Sequence, residues 1–203
     1  MDEYMMNWRK DTLSFYNQNS DEFVSGTLAA DMSDARSRFV SRLPLKALIL
    51  DFGCGSGRDT KAFLDAGYQV EATDGSEELC ERASAYTGIQ VKRMLFQDLD
   101  AVDRYDGIWA CASVLHLPAE ELKTVIGKIA VALKQQGVLY VSFKYGEYEG
   151  MRKGRYFTDF KEKKLRTFWE SFPSLQIVET WITEDVRPDR KDEKWINLLA
   201  RKA

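Results

Sequence analysis

Short apolar runs alternate with longer amphipathic stretches along most of this chain, a pattern that only βα units wound around a parallel sheet satisfy well. Lys46–Asp51 has a continuous apolar centre and is followed by a glycine cluster and a helical stretch over Arg58–Ala66, which Gly67 stops. Tyr68–Asp74 is a second strand. Ser76 then caps a helix carrying Glu77 and Glu78 in its first turn, and Gly88 ends it. IQVKRMLF alternates like a third strand, Tyr105–Cys111 is a fourth, and Gly137–Phe143 a fifth. Between the last two, Pro118 suits the first position of a helix whose apolar face is Leu122, Val125, Ile126, Ile129 and Leu133.

After Lys144 the rhythm breaks. A polar, aromatic segment leads to a helix near Phe160–Ser171, and then LQIVETWITED and KWINLLARK follow with only a short charged loop between them. Two consecutive strands without an intervening helix pair antiparallel. The expectation is an α/β fold: a doubly wound, mostly parallel sheet with an antiparallel finish. The first 45 residues carry helical patterning and aromatics (Trp8, Phe15, Tyr16, Phe23) and form a helical cap on it. At 203 residues, without repeats or linkers, the chain reads as one domain over 1–203, with the cap at 1–45 and the sheet and its finish at 46–203.

Composition narrows the function classes. With 29 Lys+Arg against 32 Asp+Glu, a surface built as a whole for nucleic acid phosphates is disfavoured. Residues 151–166 hold a local basic excess, which reads as a solvated helix face or as a patch for an anion or RNA. Cys54, Cys80 and Cys111 fit neither a disulfide framework nor a zinc spacing, and read as free thiols. No signal-peptide core and no membrane-length apolar run is present, so the expected location is cytoplasmic, with no membrane partner.

In open α/β sheets ligands bind beyond the carboxyl ends of the strands, where the strand order reverses. Asp51-Phe52-Gly53-Cys54-Gly55-Ser56-Gly57-Arg58 lies at that edge. Its alternate glycines let the backbone approach a ligand, and the following helix offers free N–H groups to an anion. Taken alone, such a loop is also an ordinary strand-to-helix turn. Asp74 adds to it by ending the second strand 23 residues after Asp51, where a carboxylate can accept both hydroxyls of a ribose. A dinucleotide loop reads G-x-G-x-x-G, whereas its third glycine position is Arg58 here, which counts against a nicotinamide cofactor. Tyr140 and Lys144, the one Tyr-x-x-x-Lys match, lie on a predicted strand, too far apart for hydride chemistry.

These motifs resemble those of the class I S-adenosylmethionine-dependent methyltransferases. ILDFGCGSG is similar to their first motif, VEATDGS to the second, FQDLD to the third and YDGIWACASVLHL to the fourth, in family order. Within the class the chain resembles small bacterial proteins related to tellurite-resistance and ubiquinone-pathway methyltransferases, which mostly modify small molecules. The resemblance implies a Rossmann-like seven-stranded sheet with the last strand inserted between the fifth and sixth. It implies S-adenosyl-L-methionine as cofactor, S-adenosyl-L-homocysteine as product, and a small-molecule acceptor. The cofactor carboxylate would meet the loop of Gly53, Gly55 and Gly57 with the first helix N-terminus and Arg58, and its ammonium the carbonyls of Gly53 and Cys111. Asp74 and Gly75 would hold the ribose, and Asp98 with Leu99 the adenine, Asp98 being otherwise a solvated turn residue. Asp51 would be either a brace for the loop or a direct ligand. The rings of Phe15, Tyr16 and Phe23 suit closing over a sulfonium cation, or else belong to the core.

Methyl transfer needs a base only if the acceptor arrives protonated. His116, the single histidine, lies just past the fourth strand and is the candidate general base, or else a packed, hydrogen-bonded residue. The Tyr145–Tyr156 segment, with Tyr148 as its candidate catalytic hydroxyl, is either a substrate lid or an exposed connection. An RNA or protein methyltransferase would show a continuous basic groove over Arg152–Arg166. A non-catalytic cofactor-binding module would have its acceptor side blocked.

Overall fold

A computed structural model describes residues 3–187, 190 and 192–203. Three helices come first, α1 (Glu3–Gln18), α2 (Ser20–Thr27) and α3 (Ser33–Val40). There follow β1 (Leu48–Phe52), α4 (Arg58–Asp65), β2 (Gln69–Asp74), α5 (Glu77–Thr87), β3 (Lys92–Arg93), β4 (Tyr105–Ala110), α6 (Ala119–Ala132) and β5 (Leu133–Lys144). A hairpin, β6 (Glu149–Arg152) and β7 (Arg155–Thr158), precedes α7 (Glu162–Trp169), β8 (Leu175–Glu184) and β9 (Lys194–Lys202).

Seven strands form one sheet in the order β3-β2-β1-β4-β5-β9-β8. The first five are parallel, and β9 runs antiparallel between β5 and β8. This is the predicted doubly wound sheet, including the insertion of the last strand. The chain winds outward from β1 to β3 and returns on the other side of β1 to β4, so the strand order reverses between β1 and β4. At that point the loops leaving the two strands diverge and open a crevice.

Side-chain alternation divides the core between the faces. Ile49, Trp109, Val138 and Tyr140 meet Phe39 of α3 and Phe63 of α4 on one face. Leu50, Ile108, Leu139 and Val141 meet α6 and α7 on the other. Trp109 stacks on Tyr140 with centroids 3.9 Å apart, while its indole N–H donates to Asp59 at 3.0 Å. Each buried aromatic of this kind contributes roughly 1.5–3 kcal/mol by burial.

Four local expectations change. The third strand shrinks to Lys92–Arg93, because the chain turns at once into a single 3-10 turn over Phe96–Asp98. Pro118 stands at the N-cap of α6 (φ −54°, ψ 149°), one place earlier than predicted, since its extended ψ precludes a helical residue. Leu133 passes from the helix into a longer β5, which pairs with β4 from Tyr105 onward. The Tyr145–Tyr156 segment is mostly a β-hairpin whose turn includes Gly154 at φ +76°. Ser76 caps α5 as expected, accepting from the Leu79 N–H at 3.2 Å.

Candidate functional site

A cavity of about 630 Å³ opens at the carboxyl ends of β1, β2 and β4, at the reversal of strand order. Its volume lies in the range of small-ligand sites. The glycine loop forms its floor. Gly53 sits at φ +85°, and a Cβ there would lie 2.5 Å from Ser113 Cβ; Gly55 sits at φ +55° with Phe23 2.9 Å from a would-be Cβ. Any side chain at either position would close the crevice. The Gly53 and Cys54 N–H groups both donate to the Thr73 carbonyl at 2.9 Å, which ties the loop to β2.

Asp74 ends β2 facing this loop. Its Oδ2 accepts from the Gly55 N–H and its Oδ1 from the Ser76 N–H, each at 2.9 Å. Each oxygen keeps further acceptor capacity, and the residue lines the cavity. Burial raises the pKa of this carboxyl, and the backbone N–H bonds oppose that shift. Asp51 also lines the cavity and accepts from Thr60 Oγ at 2.6 Å, so it braces β1 against α4. Burial, with the charge of Asp59 second, pushes its pKa up to about 7. Arg58 lines the cavity and is paired with Asp59 at 2.6 Å, a carboxylate that also holds Arg36 at 2.6 Å. Cys111 borders it too, its thiol pushed up to about 12 by burial and then by Asp59.

An apolar wall of Leu79, Met94, Leu95 and Phe96, with the Gln97 amide, closes the side nearest β2 and β3. Gly75 is part of it, with Leu13 2.8 Å from a would-be Cβ. Sequence reasoning placed the adenine contacts at Asp98 and Leu99, but these do not line the cavity. The 3-10 turn carries Asp98 to the surface and sends Leu99 into the core, 3% exposed. The lining residues are the ones just before them in the same motif.

Gly57 also stands apart from the cavity. It is the left-handed N-cap of α4, and a Cβ there would lie 2.8 Å from Thr87 Cγ2 and 3.1 Å from Ala83 Cβ, so its bareness serves the packing of α4 on α5. Tyr148 is 43% exposed, donates its hydroxyl to the Met151 carbonyl at 2.5 Å and does not line the cavity. The hairpin turns it outward and presents Arg152, Lys153, Arg155 and Phe157 instead.

The remaining end is built by α1, the turn after β4 and the hairpin. His116 is buried, with Nδ1 2.6 Å from the Tyr156 carbonyl and Nε2 2.7 Å from the Tyr16 hydroxyl. A carbonyl can only accept, so Nδ1 carries the hydrogen and Tyr16 donates to Nε2. Burial lowers the His116 pKa to about 3, and the Arg155 and Arg152 charges act in the same direction. Tyr16 is raised by burial. Tyr156 N–H donates to Thr12 Oγ at 3.0 Å and Trp8 packs on the Tyr156 ring at 5.5 Å, which fastens the hairpin to α1. Among the described residues no group of three or more His, Cys, Asp or Glu is arranged to hold a metal, and no helix is long and apolar enough to cross a membrane.

Residues 49–137 match the family model described as "Methyltransferase domain". No curated protein sequence matches the chain. Among solved structures, the chain is similar to the 1,6-didemethyltoxoflavin N1-methyltransferase of Burkholderia thailandensis, crystallised with 1,6-didemethyltoxoflavin and S-adenosylhomocysteine (TM-score 0.81, 22% identity, 100% of this chain and 92% of that one). It is also similar to a Methanosarcina mazei S-adenosylmethionine-dependent methyltransferase (TM-score 0.71, 18% identity, 85% and 98% covered). A third is the N-methyltransferase NodS of Bradyrhizobium japonicum, crystallised with S-adenosylhomocysteine (TM-score 0.66, 17% identity, 92% and 97% covered). These likenesses are of fold. The glycine floor, the paired-acceptor carboxylate at the end of β2 and the apolar wall beside it match the donor set an adenosine-bearing cofactor requires. Residues 49–137 match a methyltransferase domain, and the chain as a whole shares the fold of S-adenosylmethionine-dependent methyltransferases.

Proposed function

We propose that the chain is a methyltransferase that takes a methyl group from S-adenosylmethionine and transfers it to a small molecule held in the same cavity. One observation carries the reading: beyond the glycine floor and Asp74, the cavity continues into a chamber lined by Tyr16, Leu115, His116, Arg155 and Phe157, all from this chain. A non-catalytic module would have this side filled. The cations of 151–166 also divide: Arg152, Lys153 and Arg155 line the cavity, whereas Lys161 caps α7 and pairs with Glu147, and Lys163, Lys164 and Arg166 lie on α7. Such a division suits a compact acceptor better than a polymer laid along a basic groove. The Burkholderia thailandensis enzyme, which is named for 1,6-didemethyltoxoflavin and was crystallised with it, agrees with that reading.

In this reading Asp74 accepts from the two ribose hydroxyls while Met94, Leu95 and Phe96 flank the adenine and Gln97 meets its edge. The α4 N-terminus and the Gly53–Gly55 backbone face the cofactor's amino-acid end. Arg58 contributes charge there but keeps its bond to Asp59. The cofactor supplies an electrophilic methyl on a sulfonium. The chain's part is to align the acceptor with it and exclude water, and alignment of this kind can supply up to ~7–11 kcal/mol of the barrier. His116 and Tyr16 position the chamber wall; with both imidazole nitrogens engaged, His116 has no free lone pair to accept a proton.

Calorimetric titration with S-adenosylhomocysteine, followed by an acceptor screen read as its release from S-adenosylmethionine, tests the proposal. Binding, and turnover of at least one small acceptor, is expected. Tight NAD binding with none for S-adenosylhomocysteine overturns it.

A further inference from the structure

We infer that the acceptor is bound as a flat organic anion, with the Arg155 guanidinium as its counter-charge; the inference rests on the small-molecule reading above. Arg155 lines the chamber and is caged by aromatic rings. Its Cζ lies 4.3 Å from the Phe15 ring centroid, 5.2 Å from Phe157 and 5.7 Å from Tyr16. Its Nε is buried without a hydrogen-bond partner, and the one side-chain bond it makes among the described residues, from Nη1 to the Tyr16 hydroxyl, is long at 3.4 Å.

Other arginines around the cavity are neutralised. Arg9 pairs with Glu121 at 2.8 Å, Arg58 with Asp59 at 2.6 Å and Arg152 with Asp159 at 3.0 Å. Among the described residues Arg155 has no carboxylate within ion-pair distance. A guanidinium partly withdrawn from water without an anion carries a cost, and ring faces offset only part of it. The missing partner is an anion that enters the chamber, and the planar fork of Arg155 favours a carboxylate or a delocalised oxyanion.

The neighbouring groups fit the same ligand. Tyr16 has spent its hydrogen on His116 and accepts from Arg155, so neither is free to take a proton from an acceptor. An acceptor that arrives ionised needs no base. Its lone pair forms the bond to the methyl carbon as the carbon–sulfur bond breaks, and that pair passes to sulfur. Cation and anion become two neutral centres and no proton is released. The flatness follows from the walls, where Tyr16, Phe23 and Phe157 present rings to the chamber.

The test is calorimetric titration of the protein saturated with S-adenosylhomocysteine, using matched bicyclic aromatic acids and their carboxamides, such as quinoline-2-carboxylate and quinoline-2-carboxamide. Wild type is expected to prefer the acids by about tenfold or more, the effect of a hydrogen bond to a charged group. Arg155→Met is expected to lose that preference while holding S-adenosylhomocysteine within about twofold. Equal affinity for acids and amides, binding of neither, or a preference that survives Arg155→Met overturns the inference. Failure of the wild type to bind S-adenosylhomocysteine at all would instead overturn the methyltransferase reading beneath it.

Discussion

The Tyr16 hydroxyl donates to His116 Nε2 across 2.7 Å, joining α1 to the turn after β4 over a hundred positions of sequence. With Nδ1 donating to the Tyr156 carbonyl at 2.6 Å, the ring has no free site, and burial keeps it neutral. The imidazole is therefore expected to show nitrogen-15 shifts of one neutral tautomer, protonated on Nδ1, at every pH from about 5 to 8. As the chain has one histidine, the spectrum is unambiguous. A titration centred near 6.5 would show that the ring reaches solvent.

Tyr16→Phe removes the hydroxyl and leaves the buried Nε2 without a donor. Leaving such an acceptor unsatisfied costs about 1–3 kcal/mol, which urea unfolding would measure. A loss below about 0.5 kcal/mol would mean that the pair does not tie α1 to the sheet.

His116 also gives stability a pH dependence of known sign. Its folded pKa, about 3, lies below the ordinary value of 6.5, so the unfolded chain binds the extra proton first. Its contribution is complete above about 6.5 and is lost as pH falls from there toward 3. His116→Gln keeps an uncharged polar group and removes this titration. The stability of wild type relative to the variant is expected to fall on acidification through that window, as read from unfolding midpoints at matched pH; a constant difference would contradict it.

Asp74→Asn keeps the shape of the side chain but halves its acceptor capacity. If this carboxylate holds the ribose, affinity for S-adenosylhomocysteine drops about tenfold or more, since charged hydrogen bonds are lost. Unchanged affinity by calorimetry would remove Asp74 from the site.

Two glycines of one loop should respond differently to alanine. Gly57→Ala forces a left-handed residue against Thr87 and Ala83, away from the cavity, and is expected to cost about 1–3 kcal/mol of stability while the folded protein binds S-adenosylhomocysteine as before. Gly55→Ala pushes a methyl toward Phe23 at the cavity and is expected to weaken binding. Equal effects of the two on binding would contradict this division.

Much of the fold is legible because its signals are local. The apolar continuity of LILDF, the Ser76 cap and the Gly88 stop each depend on nearby residues, and together they imply parallel strands with helices between. The antiparallel pairing of β8 and β9 follows from two strands with no helix between them, whereas the place of β9 beside β5 was implied only by the family resemblance. Asp51, Gly53, Gly55 and Asp74 fall beside the crevice because strand ends and topology put them there. The apolar wall comes from the third motif, but a 3-10 turn puts Met94–Gln97 on the cavity in place of Asp98 and Leu99.

The chamber's far end was not legible in the same way. Tyr148 and Arg155 both belong to a polar, aromatic segment with no clear period, and only the hairpin register decides which of them turns inward. Likewise, the linear sequence leaves His116 open between a base and a packed, hydrogen-bonded residue because its partners, Tyr16 and the Tyr156 carbonyl, are 100 and 40 positions away. By itself the sequence determined the sheet, the glycine floor and the carboxylate beside it, which arise from short-range patterning and the handed winding of βα units. Tertiary structure alone decided that the histidine is neutral and engaged, and that a guanidinium stands without a counter-charge among the described residues, because burial and the neutralisation of charge depend on contacts between segments far apart in the chain.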